Sequence, residues 1–123
     1  MGSSIVINIE PNTKPRMTRR DKWAKRPCVL KYWAFCDELR KQAEFAKFEI
    51  GHKVKLVFYL PMPDSWSKRK KVVFDSTAHQ STPDIDNLVK AVFDGLLEQD
   101  KMIYSLEASK WWSTEGKIII QNL

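Results

Sequence analysis

Val54, Leu56, Phe58 and Leu60 fall at every second position between Lys53 and Leu60. A period of two places these four apolar side chains on one face of a β-strand, and such a face has to be buried against another layer. Stripes of helical period stand on either side to supply that layer. Val29, Tyr32, Trp33, Cys36, Leu39, Ala43 and Ala46 recur at steps of three and four. They predict an amphipathic helix that starts with Pro27 in its first turn, runs to about Phe48 and stops near Gly51. Leu88, Val89, Val92, Leu96 and Leu97 predict a second. Ile5 to Ile9 is a short strand ended by Pro11. Met102 to Trp112 is another, turning through Ser113 to Gly116 into a last strand, Lys117 to Gln121. Asn12 to Pro27 and Pro61 to Pro83 lack periodicity and are expected as exposed connections. The order is β-α-β-loop-α-β-β, an α+β fold of two α-helices on a small mixed β-sheet. At 123 residues and 43% apolar, the chain 1–123 is expected to form a single domain around one core.

The charge is concentrated. The chain carries +6 overall, with seven basic side chains against Asp21 between residues 14 and 26 and four more at Lys68-Arg69-Lys70-Lys71. These two segments hold +6 and +4, which leaves the remainder at −4. Lys14, Arg16, Arg19, Arg20, Lys68, Arg69, Lys70 and Lys71 are therefore candidates to meet a phosphate backbone. The competing reading makes both clusters solvated surface loops. Trp66, beside the second cluster, fits either a stacking platform for a base or a ring pinning the loop to the core. Cys28 and Cys36, two turns apart in one predicted helix, are too distant for a disulfide and show no zinc-site spacing. Nothing resembles a signal peptide, and no apolar run approaches a membrane span. A cytoplasmic location with no membrane partner is the expectation.

Asp84 and Asp86 sit two apart where a connection becomes a helix. Pro83 keeps Thr82 extended, and in an extended segment residues i and i+2 point the same way. Two readings follow. One aspartate can cap the helix, where free N–H groups favour its charge. Alternatively the pair holds a hard cation such as Mg²⁺, which takes oxygen ligands and keeps several waters. Asp86, Lys90 and Asp94 continue at i, i+4 and i+8, either as a surface ion-pair ladder or with Lys90 placed to neutralise a phosphate in its transition state. His79, five residues before Asp84, is a candidate DNA contact.

Pro83-Asp84-Ile85-Asp86-Asn87-Leu88-Val89-Lys90, followed by Asp94-Gly95-Leu96, closely resembles the signature of RusA-type crossover junction endodeoxyribonucleases. Lys14-Pro15-Arg16-Met17-Thr18-Arg19, Leu60-Pro61-Met62-Pro63-Asp64-Ser65-Trp66-Ser67 and Lys110-Trp111-Trp112 through Gly116 extend the similarity, especially to phage-type members. The resemblance covers essentially the whole chain. It implies a homodimer that resolves four-way (Holliday) junctions by paired symmetric nicks with Mg²⁺ or Mn²⁺, in DNA recombination and repair. It also implies catalytic roles for Asp84, Asp86 and Lys90. The family's third catalytic aspartate belongs to an Asp-Asp pair before the penultimate strand. Here that place reads Glu98-Gln99-Asp100, so the resemblance assigns Asp100, with Asp84 and Asp86, as metal ligand, and glutamine replaces the first of the pair. Asp94, two turns beyond Asp86, is about 12 Å along the helix axis and too far to share one ion. Two other functions compete: a catalytically weak junction-binding protein, and a broader structure-specific nuclease acting on forks and flaps.

Overall fold

A computed structural model describes residues 3–15 and 26–123. Its strands are β1 (Ser4–Ile7), β2 (Lys53–Pro61), β3 (Ser105–Ser113) and β4 (Lys117–Asn122); its helices are α1 (Pro27–Phe45), α2 (Lys68–Phe74) and α3 (Ile85–Leu96). The strands form one mixed sheet in the order β1-β4-β2-β3. β4 runs antiparallel to both β1 and β2, while β2 and β3 are parallel. A parallel pair needs a crossover connection, and α2 and α3 lie within it. The α+β class and the element order agree with the sequence reading.

The period-two pattern of β2 is realised in its burial. Val54, Leu56 and Phe58 are fully buried and Leu60 nearly so. In register beside them, Ile118 and Ile120 of β4 and Ala108 of β3 continue the same face. Val29, Tyr32, Phe35, Cys36 and Leu39 of α1 and Leu88, Ala91, Val92 and Phe93 of α3 are buried as well, and most of them join this core. Each fully buried Val, Leu, Ile or Phe among them contributes about 1.5–3 kcal/mol by leaving water. Helices α1 and α3 approach closely at Gly95, where a Cβ would come within 2.8 Å of Leu39 Cδ1. Both cysteines are free, Cys36 in the core and Cys28 exposed.

The structure corrects several details. Residues 61–83 are not one irregular connection: Lys68–Phe74 is a helix, so three helices rather than two are present among the described residues. α2 buries none of its side chains, which is why it leaves no apolar stripe to read. Helix α1 ends at Phe45 rather than Phe48, and β1 at Ile7 rather than Ile9. The strand expected from Met102 begins at Ser105, because Asp100–Met102 form a 3₁₀ turn. No helix among the described residues is long and apolar enough to cross a membrane.

Candidate active site

Helix α3 brings the acidic motif to an open cleft of about 720 Å³ lined by His79, Ser81, Thr82, Asp84, Asp86 and Lys110, among others. Asp84 occupies the N-cap position in extended conformation, yet its carboxylate makes no capping hydrogen bond. Asp86 lies in the first helical turn, and both side chains are exposed. The capping reading asks for a bond to a free N–H near the helix start. Its absence leaves the Asp84 carboxylate available to a ligand in the cleft, which Asp86 also lines.

Lys90 and Asp100 form a second group along the same side of α3. Lys90 Nζ donates to Asp100 Oδ2 at 2.9 Å and stands 3.6 Å from Asp94 Oδ1. The Asp100 hydrogen bond raises the pKa of Lys90, and the same bond lowers that of Asp100, so the pair is ionised at neutral pH. Lys90 follows Asp86 by four residues, one turn of about 5.4 Å. The 3₁₀ turn therefore carries Asp100 to the stripe that begins at Asp86.

Asp94 has a structural occupation. It accepts from the Tyr32 hydroxyl at 2.9 Å and pairs with Lys14 at 3.4 Å. Burial above all, and then the Asp94 carboxylate, push the Tyr32 hydroxyl pKa up, which keeps it a donor. Asp94 thus ties α1, α3 and the segment after β1 together. The ladder expected on this face is real for Lys90 and Asp94. Glu107 is exposed in β3.

Four aromatic rings connect the basic helix to the cleft. Trp66 packs on Phe74 with ring centroids 5.3 Å apart and on Trp112 at 4.8 Å, and Trp112 packs on His79 at 4.0 Å. Of the two readings of Trp66, the pinning one describes what is seen. Ser67 caps α2 by accepting from the Lys70 N–H. Lys68, Arg69 and Lys70 are exposed and Lys71 is half-buried. The Lys70 ammonium lies 4.2 Å from the Trp66 ring centroid. His79 is 4% exposed, and its Nδ1 has no partner among the described residues. Burial, and next the Lys110 charge, lower its pKa, so at neutral pH it lines the cleft as an uncharged imidazole. Arg16, Arg19 and Arg20 lie outside the described residues.

Periodicity missed α2 and Lys110. The Ser67 cap ahead of a basic run was a signal for the first; for Lys110, placed by the sheet, no local signal exists.

The donor chemistry of Asp84 and Asp86 suits a hard divalent cation, since Mg²⁺ is commonly held by one or two carboxylates plus water and substrate phosphate. Among the described residues, no three His, Cys, Asp or Glu side chains converge as a metal-binding group. Asp100, paired with Lys90, is not among the residues that line the cleft. A protein-family model described as Endodeoxyribonuclease RusA matches residues 7–121. No curated protein matches the chain.

Proposed function

Because the chain belongs to the RusA endodeoxyribonuclease family, a nuclease family of Holliday junction resolution, we propose that it cuts four-way DNA junctions by paired symmetric nicks in a Mg²⁺-dependent reaction. The observation that carries this reading is the pair of exposed carboxylates, Asp84 and Asp86, that both line an open cleft, with no capping bond to occupy Asp84. These two residues would hold the cation, with Mn²⁺ as a substitute, and Asp100, ion-paired with Lys90, would be the third ligand. When bound, the cation makes the phosphate more electrophilic, acidifies the attacking water and stabilises the leaving oxygen.

The chain's own residues do the rest. Lys90, hydrogen-bonded to Asp100, offers positive charge beside the phosphate as negative charge builds on its oxygens. α2 and the basic residues 14–26 hold the backbone of the DNA arms. A junction is recognised by the geometry of its phosphates more than by base edges, which suits a basic helix, α2, anchored to the sheet through Trp66 and Trp112. Two opposed nicks suit a two-fold homodimer, acting in the cytoplasm in recombination and repair.

Incubating the protein with labelled four-way junction, fork, flap and linear duplex in Mg²⁺ tests the substrate. Paired nicks at symmetric positions of the junction are expected, with little cutting of the others. Equal cutting of forks or flaps replaces junction resolution with a broader structure-specific nuclease. Lys90→Ala is expected to lower the single-turnover rate by roughly 10²–10³, the scale seen when one transition-state donor is removed, while junction affinity changes little. A raised dissociation constant with an unchanged rate would make Lys90 a DNA contact instead.

A further inference from the structure

The segment that delivers the two aspartates is strapped to the edge of the sheet. The Ser76 N–H donates to the Trp112 carbonyl, the Trp112 N–H to the Thr77 carbonyl and the His79 N–H to the Lys110 carbonyl. Ala78 bridges Trp111 in antiparallel fashion. These backbone bonds reach as far as His79. Beyond it a side chain takes over: Lys110 Nζ donates to the carbonyls of Ser81 and Pro83, the second at 2.7 Å. Pro83 immediately precedes Asp84. Lys110 itself stands in β3 opposite Phe58, a fully buried residue of β2, so its backbone is paired to an inner strand of the sheet.

An ammonium group in a cleft with two carboxylates would be expected to pair with them. This one commits two of its three donors to neutral carbonyls. It also repels any second cation brought to the cleft, so its presence there needs a compensating gain. The geometry points to Lys110 as a positioning residue that fixes the Ser81–Pro83 backbone, and through it the aim of Asp84 and Asp86 at a shared divalent cation. This inference rests on the metal-dependent reading of the cleft. Groups that orient metal ligands from behind commonly change metal affinity by about 10–100-fold when removed.

The test is Mn²⁺ binding without DNA, read by the loss of the free-ion electron paramagnetic resonance signal, for wild type, Lys110→Met and Lys110→Arg. Deleting a positive charge by itself tightens Mn²⁺ binding. Loss of positioning weakens it, and a weakening of about 10–100-fold is expected for Lys110→Met. Lys110→Arg, with enough donors to span both carbonyls, is expected to recover part of the loss. Junction affinity in EDTA, and its salt dependence, should match wild type. Should the Met variant not fold, Lys110→Gln carries the same comparison. Mn²⁺ binding in these variants as tight as wild type, or tighter, overturns the assignment. So does unchanged Mn²⁺ binding with a salt slope reduced by about 0.9, which marks a phosphate contact. A wild type that binds no Mn²⁺ overturns the metal reading and this inference together.

Discussion

Asp84→Asn and Asp86→Asn are each expected to reduce junction cutting by more than the roughly 10–100-fold that supporting groups around a metal cost, while leaving junction binding intact. The amide keeps the shape of the side chain but not the charge that a hard cation requires. Binding can even tighten, because a negative charge near DNA phosphate is removed. The substitution is also a clean one. Asn is as good as Asp at a helix N-cap, and Asp84 makes no capping hydrogen bond that could be lost. Thermal stability should therefore stay near wild type, so that a lost activity reports on chemistry and not on folding. Near-normal turnover in either variant would reduce that aspartate to an end-of-helix residue.

Replacing Lys68, Arg69, Lys70 and Lys71 together with glutamine is expected to weaken junction binding steeply at low salt and to flatten its salt dependence. Each lost phosphate contact on B-DNA lowers the log–log slope by about 0.9, so four contacts would remove roughly 3 to 4 units of slope. The arrangement of α2 supports a rigid rather than a trailing contribution. Ser67 caps the helix, and Trp66 and Phe74 pack against each other at its two ends, with Trp66 also on Trp112 of β3. Lys70 has a second part to play, because its ammonium over the Trp66 ring adds about 0.5–1 kcal/mol at an exposed site. Once junction is saturated, the turnover of the bound complex should be close to wild type. An unchanged salt slope would show that α2 faces away from the DNA.

How far these features were legible depends on whether a local pattern reports them. The period of two in β2 and the three-and-four steps in α1 and α3 exist because each element buries one face against the same core, so burial leaves its mark along the chain. α2 buries none of its side chains and leaves no such mark; seven residues are also too few to be helical without a tertiary anchor, here Trp66 and Phe74. The strand order β1-β4-β2-β3 and the parallel pairing of β2 with β3 are long-range facts that alternation cannot carry. The same division runs through the site. Asp84, Asp86 and Lys90 sit within seven residues and form a readable string. The hydrogen bond from Lys90 to Asp100 crosses ten residues to the start of a 3₁₀ turn, and Lys110 reaches the Ser81 and Pro83 carbonyls from β3. His79, expected at the DNA, lines the cleft with its ring packed on Trp112, a contact that its surroundings in sequence do not announce.

In the proposed function the carboxylate cleft works through a divalent cation while the basic segments hold the DNA independently of it. The most direct test is a single preparation incubated with labelled four-way junction in Mg²⁺ and in excess EDTA, with binding and cleavage read side by side. The same junction affinity is expected in both conditions at matched ionic strength, and paired nicks only in Mg²⁺. Efficient cutting in excess EDTA would contradict the proposed function.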